Sequence, residues 1–438
     1  MRILVLVILT IFVSFTVYAE KVSLSVEQSV ELGLKSNTFI KISELDTDYM
    51  RYKKKEMFSY LLPEMKVTGS YTQFKPTDPS VIHLPITQTG VDIAMSPGFD
   101  DSASMKFTVQ QPVFTGFKVL NSYKAARFRY MAQEETHEKN TAEVAFAIRS
   151  SYWSIYKAVK VSEFTNENLK QTEAHLIDVK NFFSQGMVTK NEVLKVEIQF
   201  SKAKLRKIDA ENAVELATLH LCVLTGLPTD TEILVTSEPN VDSDQGVSVD
   251  TLLQTAYKNR HDLSSLDLQR QAGQYELKSA KAGFWPQIFF IGNYSYSRPD
   301  QQRIPATDEF HDNWDIGCYI SLSVWNWGRT LSEIGESRVR LEKITELYDQ
   351  QKDTIREEVT EIKLTIKKLR MSLDVNKDIV SQAEENYRIT NDMFQNGVAI
   401  NTDLLDAEQE LLKAKTDYYQ VLADYETAKA KLTKVLGL

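Results

Sequence analysis

The sequence predicts an α+β membrane protein built as a tandem repeat. Its parts are a long α-helical coiled-coil barrel, four transmembrane β-strands per protomer (a twelve-stranded β-barrel in a trimer), and a small mixed equatorial belt. Three observations predict it. The two halves of the chain align with each other, heptad seams run through long proline-free segments, and four short segments alternate apolar with polar residues.

Residues 1–19 come first: Arg2, an apolar run Ile3 to Val13 and the small-residue exit Val17-Tyr18-Ala19 have the layout of a signal peptide cleaved before Glu20. The rest divides into a first repeat at 20–226, a linker at 227–248 and a second repeat at 249–438. "LSVEQSVELGLKSN" from Leu24 aligns with "VSVDTLLQTAYKNR" from Val247 at an offset of 223. From Phe114 and Trp325 onward the offset is 211, pairing Gly186 with Gly397 and Leu194 with Leu405. The difference falls in one loop of the first half, between residues 75 and 102.

Each half then reads helix, strand, loop, strand, very long helix, turn, helix. Phe117 to Ser184 and Arg329 to Phe394 contain no proline, and a helix of about 66 residues spans on the order of 100 Å. The helix after each turn carries a seam. Leu404, Leu411, Tyr418, Tyr425 and Leu432 recur every seven residues, each followed three later by Ala407, Ala414, Val421, Ala428 and Val435. The first half matches with Val193, Phe200, Lys207, Val214 and Leu221 beside Val196, Ala203, Ala210, Ala217 and Leu224. Lys190 to Gly226 and Val249 to Gly283 are each about half the length of the long helix, so they should stack end to end along it. The linker then forms the belt, with Glu232 to Ser237 a short strand.

The strands have a two-residue period, with one apolar face. Met65, Val67 and Tyr71 alternate with Lys66, Thr68 and Ser70; Met105, Phe107 and Val109 with Lys106, Thr108 and Gln110. In the second half Ile288, Phe290 and Tyr294 share one face, as do Trp314, Ile316, Ile320 and Leu322 within Asn313 to Trp325. These are the candidate lipid-facing residues, as in transmembrane barrels. Lipid tolerates no open sheet edge, so four strands require partners. Two copies would give a bore filled by side chains, and three the smallest pore.

The bulk properties exclude other classes. A net charge of -9, with no basic tract interleaved with aromatics, gives no support for nucleic acid. Cys222 and Cys318 read as buried small hydrophobes. The six histidines lack metal-ligand spacing, and no HExxH, Walker-type or GxGxxG motif occurs, so neither an enzyme nor a cofactor or metal is expected.

With its tandem halves, the strand-to-helix junctions "PVFTGFK" and "SVWNWGR", and the turns "SQGMVTKNEVL" and "QNGVAINTDLLDAE", the chain resembles the outer-membrane efflux protein family of TolC-like channels. The resemblance implies a homotrimer in outer-membrane lipid whose helical tunnel crosses the periplasm. It also implies docking to a periplasmic adaptor and an inner-membrane pump of RND, ABC or MFS type, in an efflux or type I secretion system. It places a periplasmic gate at Asp403, Asp406 and Glu192; Asp403 could instead complement a helix dipole and Asp406 flank the seam. It places adaptor docking at the turns Gln185-Gly186-Met187 and Asn396-Gly397-Val398. The family can lock its gate with a basic residue where Ala399 stands and a tyrosine hydroxyl where Phe394 stands, so the resemblance implies a latch that is either weaker here or made by other groups such as Lys190 or Arg388. The alternative reading is a secreted coiled-coil structural or adhesion protein.

Overall fold

A computed structural model describes residues 21–75, 78, 80–85, 90–96, 98–241, 247–300 and 307–438. The leader expected at 1–19 lies outside the described residues. In chain order the elements are β1 (Lys21–Leu24), α1 (Val26–Ser36), α2 (Thr38–Ser59), β2 (Glu64–Gln73), β3 (Ser80–Leu84), β4 (Val91–Ser96), β5 (Asp101–Phe114), α3 (Lys118–Ser184) and α4 (Lys190–Thr225). There follow β6 (Glu232–Val235), α5 (Val249–Asn259), α6 (His261–Lys281), β7 (Gln287–Arg298), β8 (His311–Ser321), α7 (Arg329–Gln395) and α8 (Asn401–Val435). Among the described residues no helix is long and apolar enough to cross a membrane.

The chain divides into two units. The first comprises residues up to Ser43, His137–His261 and Asp353–Leu438. Its core gathers Ile148, Tyr152 and Ile155 of α3 with Leu221 and Cys222 of α4 and Leu422 and Tyr425 of α8. The heptad seams lie where the spacing puts them: Leu404, Ala407, Leu411, Ala414, Tyr425, Ala428 and Val435 are buried, as are Val193, Val196, Ala203, Ala210 and Leu221. Alanine at so many of these positions lets the backbones approach closely. A second stripe on α4, including Leu194, Ile198, Leu205 and Leu216, is 46–62% exposed.

The belt strand forms at Glu232–Val235, pairing in parallel with β1 from Lys21↔Glu232 to Leu24↔Val235. One side chain ties it down. The fully buried Tyr152 hydroxyl donates to the Leu24 carbonyl at 3.0 Å and accepts from the amides of Thr236 and Ser237 at 2.9 and 2.8 Å.

One expectation needs correction here. The stretch Val249 to Gly283 is not one helix, because Arg260 adopts extended backbone (φ -70°, ψ 119°) between α5 and α6. Asn37 does the same (φ -66°, ψ 124°) between α1 and α2, at the equivalent position of the first repeat. Asn37 compensates for the lost helical bonds: its amide donates to the Leu224 carbonyl at 3.0 Å while its oxygen accepts from Phe39 N–H at 2.9 Å.

The second unit comprises Glu44–Thr136 and Asp262–Lys352. It holds an antiparallel sheet in the order β2-β5-β7-β8. Pairing register decides which side chains share a face. Val67, Phe107, Tyr294 and Trp314 form one cross-strand row, and Met65, Val109, Gly292 and Ile316 the next. On the opposite face Lys66, Thr108, Asn293 and Asp315 align, joined by bonds of 2.9 Å (Thr108 to Asn293) and 2.8 Å (Asn293 to Asp315). The apolar face is uncovered: Met65, Trp314 and Ile320 are 68–70% exposed. Within this chain β2 and β8 are free edges, so the sheet is open. The longer loop of the first half contains the hairpin β3–β4.

Two further expectations shift. Strand β8 ends at Ser321, so Leu322 lies just past it, where the chain leaves the sheet for a turn in which Trp327 takes a left-handed φ of 54°. The exposed Leu322 and Val324 prolong the alternating pattern beyond the hydrogen-bonded strand. Cys222 is buried as expected, but Cys318 is exposed, on the apolar sheet face opposite Phe290.

Candidate functional site: the paired helical hairpins

The hairpins α3–α4 and α7–α8 close through the same turn. Gly186 (φ 78°) and Gly397 (φ 72°) take the left-handed conformation that side chains resist. Met187 N–H returns to the Phe182 carbonyl at 2.9 Å and Gly186 N–H to Phe183 at 3.0 Å; Val398 and Gly397 repeat this to Met393 and Phe394 at 2.8 and 3.0 Å. Each is a Schellman closure of the long helix. No heavy atom lies within 4 Å of a Cβ added at either glycine, so backbone conformation rather than packing selects glycine there. Met187 and Val398 stand at the apices, 64% and 68% exposed, flanked by the exposed Gln185 and Asn396.

Between the turns lies a cleft of about 630 Å³, with Phe182, Met187 and Ile400 among its apolar lining and Glu192 and Asn401 among its polar lining. Phe394, in its lining, also belongs to a small core with Leu176, Val179, Val193, Val196, Leu404 and Leu405. Phe394 is buried, edge-on to His175 at 4.9 Å between centroids and packed on Phe182 at 5.8 Å.

Of the acidic residues predicted here, Asp403 and Asp406 are exposed on the first turns of α8. Glu192 lies in the first turn of α4, where Lys195 donates to Oε1 at 2.9 Å and Asn401 to Oε2 at 2.8 Å. The Asn401 bond joins the two hairpins. A carboxylate only accepts, which fixes the amide nitrogen toward Glu192 and leaves Asn401 Oδ1 buried without a hydrogen-bond partner.

Within this protomer the two latch candidates have other partners. Arg388 pairs with Glu385 and Asp392 on its own helix, and Lys190 lies over the Phe183 ring at 5.9 Å. The sequence reading missed Asn401. The available signal was a polar first residue on a helix whose N-cap, Ile400, has no side-chain acceptor.

The bonds from Lys195 and Asn401 hold the Glu192 carboxyl below its ordinary range. A depressed carboxyl stabilises the fold above its unfolded pKa, and that contribution is lost as pH falls through the folded value. Asn401→Ala is therefore expected to loosen the start of α8 at pH 7 by about 1.5–3 kcal/mol, the size of one charge-assisted hydrogen bond. Wild type and variant should converge in strong acid. Amide hydrogen exchange of residues 401–405 at pH 7 and pH 3 measures both points.

Comparison with known proteins accords with this architecture. The family model for outer membrane efflux protein matches residues 41–227 and again 252–438, an offset of 211. No curated protein matches at the sequence level. Among solved structures, the CmeC outer membrane channel of Campylobacter jejuni aligns at TM-score 0.80 and 18% identity, over 94% of this chain and 85% of that one. The outer membrane protein VceC of Vibrio cholerae aligns at 0.79 and 17%, over 94% and 96%. The open state of the MtrE outer membrane channel of Neisseria gonorrhoeae aligns at 0.73 and 16%, over 94% and 88%. At these identities the structures share the fold, while the family match covers most of the chain in two copies. The chain belongs to the outer membrane efflux protein family.

Proposed function

We propose that three copies of this chain assemble an outer-membrane channel and periplasmic tunnel, the exit duct of a tripartite efflux or type I secretion system. The observation that carries the reading is the open sheet with one continuous exposed apolar face and two unpaired edges. In water such a sheet would aggregate. In lipid, three sheets joined edge to edge satisfy every backbone group and place Met65, Val67, Tyr71, Met105, Phe107, Val109, Ile288, Phe290, Tyr294, Trp314, Ile316 and Ile320 against hydrocarbon. The polar row Lys66, Thr108, Asn293 and Asp315 then lines the water-filled bore.

The exposed stripe on α4, with Leu364, Met371 and Val375 on α7, supplies apolar surface for contacts between protomers. Residues 1–19 act as the export signal. Two hairpins per protomer present six near-equivalent tips, each with its glycine turn, to a periplasmic adaptor and through it to an inner-membrane pump. Asp403 and Asp406, with Glu192 behind them, form the gate.

The test has two arms. Purified mature protein should require detergent and have the mass of three protomers, and a freely soluble monomer would sink the channel. Single cysteines at Met187 or Val398 should crosslink to a periplasmic adaptor in whole cells; crosslinking only from sites far from the turns would remove the docking assignment.

A further inference from the structure

Above the tip, α3 presents Thr165, Asn168, Thr172 and His175 in succession on its buried face, a polar stripe where a helical seam is ordinarily apolar. Opposite it, α8 presents Glu408. His175 is 4% and Glu408 3% exposed. His175 Nδ1 stands 3.3 Å from Glu408 Oε1 but out of hydrogen-bond alignment, so neither ring nitrogen has a hydrogen-bond partner.

The carboxylate has little other support. Thr172 Oγ1 is 3.3 Å from Glu408 Oε2, yet its single proton has a nearer acceptor, the Asn168 carbonyl at 2.9 Å. The Asn168 side-chain oxygen is also buried without a partner and can donate nothing. A buried carboxylate so poorly satisfied is costly. The group placed to relieve it is the imidazole, whose protonated form adds a positive charge and offers a donor at both nitrogens.

The other groups around the pair offer no substitute. From α7, Phe394 covers the imidazole edge and Tyr387 lies near Glu408; burial, then Glu408 and Glu167, push the Tyr387 phenol up to about 12, so it stays neutral in mild acid and mild alkali. Lys415 of α8 is engaged by Glu167 and Glu384 at 3.6 and 3.3 Å. On the α4 side Glu197 pairs with Lys180 of α3 at 3.1 Å.

We propose that His175 and Glu408 form a proton-operated fastener between the two hairpins, closing when the imidazole is protonated and slackening when it is neutral. Mild acid would draw α8 onto α3 five residues from Asp403, and mild alkali would release it. The direction is opposite to that of the Glu192–Asn401 bond, which weakens only below the ordinary carboxylate range. The consequence for conduction rests on the channel reading above; the fastener itself does not.

Hydrogen exchange of residues 401–411 in the purified full-length protein, corrected for intrinsic rates, tests the fastener at pH 5.5 and 8.0. Protection in the wild type should be about tenfold higher at pH 5.5, the size of one charge-assisted hydrogen bond. His175→Gln, which keeps a donor but cannot titrate, and Glu408→Gln, which keeps the shape but not the charge, should each remove the difference. A wild type with equal protection at both pH values, or a variant that retains the difference, overturns the proposal. Either variant alone suffices if the other fails to fold. Bilayer conductance at the same two pH values is the separate readout: no conductance at either pH would sink the channel reading and leave the fastener standing, and conductance unchanged between them would mean that the fastener does not control the passage.

Discussion

Asp403→Ala combined with Asp406→Ala is expected to weaken block of the reconstituted channel by multivalent cations roughly a hundredfold. Both carboxylates are exposed on the first turns of α8, and three copies around one axis would bring six of them to the narrow end of the tunnel. Two unit charges 6 Å apart in bulk water interact by about 0.7 kcal/mol, so a trivalent ion facing three carboxylates gains several kcal/mol before screening. Even after screening reduces this to about 2.7 kcal/mol, the blocking concentration should rise roughly a hundredfold. Titration of single-channel current with a trivalent cation, wild type against double variant, gives the number. Block that survives unchanged would mean these carboxylates do not face the passage and serve the α8 N-terminus instead.

The second large effect is expected at Tyr152→Phe. The ring stays and no cavity opens, but one hydroxyl that joins β1 to the segment after β6 is removed. Thr236 N–H can fall back on the Leu24 carbonyl, 3.1 Å away, whereas Ser237 N–H has no such second acceptor. With that one amide left unpartnered costing about 1–3 kcal/mol, the expected loss is of the same size. It would be read as a lowered thermal midpoint of the detergent-solubilised protein at fixed concentration. A loss below 0.5 kcal/mol (about half of an ordinary hydrogen bond) would mean water replaces the hydroxyl.

What was legible in the sequence was whatever repeats with a fixed period. The seam through Leu404, Ala407 and Leu411 and the alternation through Met65, Val67, Phe107 and Ile316 are each stated many times over, so single exceptions do not hide them. Features decided by one contact were not legible. The break at Asn37 depends on a carbonyl of Leu224, 187 residues away, and the break at Arg260 on an ion pair with Glu358. The end of β8 was obscured because Leu322 and Val324 continue the apolar alternation after the hydrogen bonds stop. At the tip, Asp403, Asp406 and Glu192 were singled out by charge and resemblance. Asn401 and the His175–Glu408 pair escaped because Asn401 and Glu408 stand beside the heptad series through Leu404, Ala407 and Leu411 rather than in it, and only the fold shows that burial makes these polar groups costly.

The unpaired edges of β2 and β8 have a consequence for how this protein can be measured. A strand whose amides are completed only by a neighbouring copy has no finished native state in isolation, so folding and assembly become one event whose equilibrium carries the third power of protomer concentration. Dilution should therefore lower the melting temperature, refolding should slow as less protein is supplied, and a melting temperature quoted without its concentration would not characterise the molecule.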